Sequence, residues 1–371
     1  MRHVLLCLLI SISLLANCQK YFLFIGTYTG SGSKGIYVYT FDASSGKAVW
    51  VSNTENVVNP SYLAIAPGGS LLYACNETIT AKGGGISAFR FDHEKGTLTF
   101  INKQSSGGDN PAYVSVHKSG KWVIAGNYSG GSLSAFPVNA DGSIQPYSQL
   151  MQHSGKGVNK DRQEAPHVHS TVFSPKGNHL FVPDLGLDKV MIYKFNASNQ
   201  KPLQPSFPAF VNTDPGSGPR HFIFHPNKRW AYLIEEMAGT VVTYNYKKGK
   251  LNAMQQIATH ADTAKGDFGS ADIHISPDGK FLYTSNRGNE NNITIFSIDR
   301  ATGMLTLKGF QSTIGIQPRN FTIDPSGKYL LAANQKTGNI VIFKRDITTG
   351  LLQYTDEQIN IPEPVCLKMI K

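Results

Sequence analysis

A unit of about 50 residues recurs along this chain, and that period restricts the available folds more than any other feature. Each copy starts at a Pro, runs through an alternating apolar strand, a turn rich in Pro and Gly and a second apolar strand, and ends on a polar residue, often Asn. The copies begin at Pro60, Pro111, Pro166, Pro219, Ala271 (in place of Pro) and Pro318; the fourth reads PRHFIFHPNKRWAYLIEEM. Another hairpin follows each copy, as where Gly85-Ile86-Ser87-Ala88-Phe89 leads into the Asp- and Gly-containing turn before Thr97 and Leu98. Four strands per period give a unit that cannot bury its apolar face alone, so neighbouring units must stack. The two ends supply a seventh unit. Val365-Cys366-Leu367-Lys368-Met369 follows Pro364 as a lone strand, Tyr21 to Tyr28 reads as a second strand lacking its first, and Gly35 to Tyr39 as a third. The expected fold is all-β: a seven-bladed β-propeller of four-stranded antiparallel blades, its ring closed by the N- and C-terminal strands in one blade. Such closure removes the free strand edges that would pair with other chains.

A closed ring explains how 371 residues, a length that would otherwise predict two or three domains, form one domain over 19–371. With 40% hydrophobic residues the chain can bury a large core. Residues 1–18 have the anatomy of a secretory signal: Arg2 and His3, an apolar run from Val4 to Leu15, then small residues. Leu15-Ala16-Asn17-Cys18 also resembles a bacterial lipoprotein processing site, with Asn17 where Gly, Ala or Ser is usual, so an acylated Cys18 stays open beside ordinary cleavage. The expectation is an exported protein of the periplasm or cell envelope, touching membrane only through that anchor. Cys75 and Cys366 sit in strand-like runs and read as buried thiols. The net charge of +10 raises nucleic acid as a partner, but the lysines are scattered through turns and form no basic run. The charge instead favours a small anionic ligand. Gly83-Gly84-Gly85 and Gly130-Gly131 precede strands rather than helices, which removes the usual phosphate cradle.

Within each repeat the first strand crosses from one mouth of the ring to the other and its partner returns, so the start of one lies beside the end of the next. Counting outward from each turn sets His169 opposite Asp184, Arg220 opposite Glu235 with Glu236 adjacent, and Arg319 opposite Asn334; Arg287 ends its strand at the same level. Other repeats bring Asn76, Glu77, Asn127 and Tyr128 to that mouth. Arginines gathered at one opening repel one another unless an anion joins them, and planar guanidinium groups suit a carboxylate or phosphate. A local pairing of each arginine with an acid, Glu236 above all, is the alternative reading. His167 and His169 alternate along one strand and could form a metal pair with Asp184, but no fourth ligand is apparent, so no metal and no cofactor is expected. His169 suits proton transfer or hydrogen bonding to a ligand.

These residues resemble the lactonase family of seven-bladed propellers, which includes bacterial 6-phosphogluconolactonase and the carboxy-muconate lactonizing enzyme. The likeness spans nearly the whole chain after the leader. It is carried by Pro166-His167-Val168-His169-Ser170, Gly218-Pro219-Arg220-His221, Glu236 sixteen residues after Arg220, Ser285-Asn286-Arg287-Gly288 and Gln317-Pro318-Arg319-Asn320. The resemblance implies a site of His169, Arg220, Arg287 and Glu236 that hydrolyses a sugar-acid lactone without a metal, Glu236 or His169 acting as general base and the arginines as anion and oxyanion contacts. Arg319, His167, Asp184, Asn334, Asn127 and Tyr28 are the expected further substrate contacts. A muconate-type cyclase and a non-catalytic propeller binding an anionic sugar or protein stay open as alternatives.

Overall fold

The computed structural model describes residues 19–79, 84–266 and 268–371. The expected leader, with Cys18, lies outside the described residues. Seven four-stranded antiparallel sheets form the ring, with no helix among the described residues. In six of them the strands follow chain order from the axis outward. The seventh is made by Pro364–Ile370 innermost, then Lys20–Thr27, Ile36–Asp42 and Lys47–Thr54. The C-terminal strand pairs with Lys20–Thr27 from Phe22 opposite Ile370 to Thr27 opposite Pro364. The ends therefore close the ring as the repeat count requires.

Strand burial follows distance from the axis. Second strands such as Trp122–Asn127, Phe281–Asn286 and Tyr329–Asn334 are buried at every position, because each is pressed between neighbouring blades on both faces. This is why they read as continuous apolar runs rather than alternations. Outer strands such as Leu203–Asn212 expose alternate residues to solvent. The closing blade is held from both sides: Phe24, Ile36 and Val38 pack with Leu72, Tyr73 and Cys75 of the first repeat, while Tyr21, Leu23, Ile25 and Leu367 pack with Leu331, Ile340 and Ile342 of the sixth. Cys75 and Cys366 are buried free thiols in this core.

Leu367 is the fully buried residue through which the last strand joins that second cluster. Leu367→Ala is expected to lower unfolding free energy by about 2–5 kcal/mol, the usual cost of truncating a packed Leu. Urea unfolding followed by tryptophan fluorescence measures it.

A polar device repeats at the end of the second strands. Asn76, Asn127, Asn286 and Asn334 each use Nδ2 to bind a carbonyl of the connector entering their own blade: Val58, Ser106, Thr259 and Thr313 respectively. Each Asn thus donates to a connector carbonyl outside the regular ladder and ties the connector to its blade.

Candidate active site

The innermost strands do not pair in the register that counting from the turns predicts. Pro219 pairs with Glu235 and the ladder resumes at His221 opposite Ile234, leaving Arg220 as an extra residue in a β-bulge. Likewise Pro318 pairs with Asn334 and Asn320 with Ala333, which leaves Arg319 unpaired. In the third repeat Val168, rather than His169, stands opposite Asp184, and His169 donates its backbone N–H to Pro183. Residues 166–171 are irregular there, and the regular strand is only Val172–Phe173. A bulge re-aims one side chain and bends its strand. Here it lets Arg220 leave the ladder and meet Glu236 and the backbone of the next blade.

Glu236 is the centre of the site. Its backbone is pinned on both sides, N–H to Gly218 O at 2.7 Å and C=O from Ser270 N at 3.1 Å. Its Oε2 accepts from Arg220 Nε at 2.9 Å and lies 2.9 Å from Arg287 Nη2, while Oε1 accepts from Arg162 Nη2 at 2.7 Å. His169 Nε2 stands 3.9 Å from Oε2. Burial opposes ionisation of Glu236, but Arg287, Arg220, His169 and Arg162 together overcome it and hold the carboxyl well below its ordinary range. Burial, helped by the charge of Arg287, pulls the Arg220 guanidinium down to about 9 against the attraction of Glu236. Burial, then Arg220 and His221, keep His169 well below the usual imidazole value. His169 is therefore neutral near pH 7, and its buried Nδ1 has no hydrogen-bond partner among the described residues.

Arg162 was not among the expected residues. It sits in the long connector before Pro166, where Asn159 Oδ1 accepts from the N–H groups of Asp161 and Arg162, and buried Gln163 ties the loop to Leu185 O and Asp188 Oδ1. The sequence signal was a polar run without strand character leading directly into His167 and His169.

The opposite side of the mouth holds Tyr28, whose OH donates to Glu77 at 2.9 Å, and Arg319, placed 5.5 Å from the Tyr28 ring centroid and 4.0 Å from Glu77 Oε2. Tyr128 stacks on His167 at 4.7 Å and meets His169 edge-on at 5.2 Å. Four guanidinium groups against the carboxylates of Glu236 and Glu77 leave an excess of positive charge. A cavity of about 400 Å3 opens over Arg162, Glu236 and Arg287, bordered by Asn291, Gln317 and Lys336.

Three expected substrate contacts are placed elsewhere. Asn127 and Asn334 are buried in the connector-binding role described above. Asp184 takes the equivalent place with acceptors instead of donors, binding His153 Nδ1 at 2.6 Å, His167 N at 2.7 Å and Gly186 N at 3.1 Å. Contrary to the expectation for each of them, their oxygens and amides are turned into the blade. Glu235, one residue from Glu236, likewise points away, toward Thr240 and Gln256. Among the described residues no group of three His, Cys, Asp or Glu could hold a metal ion.

The comparisons with known proteins agree with this architecture. Residues 22–369 match the family described as lactonase, 7-bladed beta-propeller. The chain is 40% identical over 349 residues to a 6-phosphogluconolactonase of Formosa agariphila, covering 94% of this chain and 99% of that protein. It is 35% identical over 354 residues to a 6-phosphogluconolactonase of Bacillus subtilis, covering 95% and 99%. The solved structure of a periplasmic gluconolactonase of Pseudomonas aeruginosa superposes with a TM-score of 0.90 at 36% identity, covering 95% of this chain and 99% of that one. By family match, identity over nearly its full length and shared architecture, the chain belongs to the lactonase family of seven-bladed β-propellers.

Proposed function

We propose that this protein is an exported lactone hydrolase acting on a sugar-acid lactone that carries an anionic group. The observation that supports it most is a neutral, buried His169 held beside guanidinium groups already oriented by one carboxylate. His169 takes a proton from water as the water oxygen bonds to the lactone carbonyl carbon. Arg220 and Arg287 stabilise the oxyanion that forms, Glu236 having fixed their orientation before reaction. Collapse breaks the ring C–O bond, and the leaving alkoxide takes the proton back from His169. Glu236, ionised and bound by three arginines, is the poorer base and serves orientation. The excess positive charge at the mouth, including Arg319 and Lys336, attracts the substrate's anion. The chemistry calls for no cofactor, since the arginines supply the positive charge.

Export rests on residues 1–18 and on the likeness to a periplasmic gluconolactonase. Intact mass of protein isolated from membranes reports whether Cys18 is acylated. Base-uptake titration with phosphorylated and unphosphorylated gluconolactone tests the activity. Acid release above the spontaneous rate is the expected result. Binding without acid release would replace the enzyme reading with that of a binding module.

A further inference from the structure

A second buried polar cluster adjoins Arg220 in the channel. Asp272, on the innermost strand Ser270–Ile275, accepts from His221 Nδ1 at 2.7 Å, from His274 Nε2 at 2.9 Å and from Asn320 Nδ2. Backbone N–H groups of Ile273 and Phe321 add donors at 3.0 and 3.4 Å. Asn320 in turn accepts from Leu367 N at 2.7 Å, so the cluster also fixes the closing strand. Burial opposes ionisation of Asp272, but its two histidine partners and their hydrogen bonds keep it ionised, well below the ordinary Asp value.

His221 links this cluster to the site. Its Nε2 lies 3.3 Å from Arg220 Nη1. A guanidinium N–H can only donate, so Nε2 must accept, and the single ring proton must be on Nδ1, facing Asp272. Both contacts are met by one tautomer. Burial, with the charge of Arg220, holds His221 down at about 4, which keeps the ring neutral near pH 7. Among the described residues, Glu236 and His221 are the side chains hydrogen-bonded to the Arg220 guanidinium; Nη1 also meets Ala271 O.

We propose that His221 and Asp272 are positioning residues for lactone hydrolysis: Asp272 keeps the His221 proton on Nδ1, and the Nε2 acceptor so preserved holds the Arg220 guanidinium against Glu236. The reaction assigned here rests on the lactonase reading. The physical demand is that a guanidinium stabilising an oxyanion be fixed before the charge develops, and at its far end His221 Nε2 adds to Ala271 O as the side-chain acceptor that limits its rotation.

Two amide substitutions separate positioning from mere packing. Asn at position 221 can reproduce the Nδ1 donor to Asp272 but not the acceptor to Arg220; Gln places a carbonyl oxygen near the Nε2 position. His221→Gln is expected to keep kcat/KM within a few-fold of the parent. His221→Asn is expected to lose about 100-fold, mostly in kcat, the scale of a misplacement of about 1 Å. Thermal unfolding of both variants controls for folding. Equal losses, or losses that follow the order of unfolding temperature, would overturn the proposal. Nitrogen-15 spectra provide a readout independent of turnover. The His221 ring should carry its proton on Nδ1, and the Arg220 Nε resonance should move in His221→Asn and stay in place in His221→Gln. A proton on Nε2, or an Arg220 resonance unmoved in both variants, refutes positioning. Absent acid release by the unmodified protein refutes the lactonase reading alone.

Discussion

Glu236→Gln should reduce kcat/KM for lactone hydrolysis by at least about 100-fold, the cost typical of losing one well-oriented oxyanion contact. The amide keeps the carboxylate's shape, but it removes the one charge that Arg162, Arg220 and Arg287 share. Its NH2 can only donate, so at least one guanidinium faces a donor where it had an acceptor. The three cations then repel one another in a buried site and move apart. Removing one partner of a buried ion pair typically costs about 3–5 kcal/mol, so the variant should also unfold at a lower temperature. Steady-state kinetics with calorimetry measure both effects. Parental turnover in Glu236→Gln would show that the carboxylate orients nothing the reaction needs.

Replacing His169 should cost about 10²–10⁴-fold in kcat, the contribution of a placed general base. The pH profile supplies the sign. His169 acts as the neutral imidazole, and burial with the charge of Arg220 holds its folded pKa well below the ordinary 6.5. Activity should therefore be level from neutral pH down through 6.5 and fall only as pH drops through that depressed value. His169→Gln should remove the acid limb with the rate. Stability follows the same linkage. Below pH 6.5 the unfolded chain binds the proton and the folded chain does not, so folding weakens as pH falls from 6.5 toward the folded pKa. The contribution is fully present above 6.5. Unfolding temperatures at pH 7 and 5 should draw closer in His169→Gln than in the parent. A rate unaffected by His169→Gln would transfer the base role elsewhere.

The number of blades, their four-strand make-up and the closure by Pro364–Ile370 were legible in the sequence because they rest on local periodicity and on counting repeats. The residues that meet at Glu236 were largely legible too: Arg220 and Arg287 hold fixed places in repeats whose ends share one mouth, and His169 stands within reach of the same carboxylate. The register was not. Period-two counting assumes an unbroken ladder, and the bulges at Arg220 and Arg319 displace each count by one residue. Counting also placed Asn127, Asn334 and Asp184 at the mouth without telling which way their side chains turn. That choice is made by connector carbonyls and donors distant in sequence. Arg162 and the tie between Asp272 and His221 belong to the tertiary structure, since one joins a loop to a blade and the other joins two blades, while the contact of His221 with its neighbour Arg220 depends on the bulge. Periodicity determined the ring and which repeats carry charge around its mouth; the packing of blades about the axis decided which of those charges touch, because the partners of a buried polar atom are set by what the fold brings beside it and not by its neighbours in the chain.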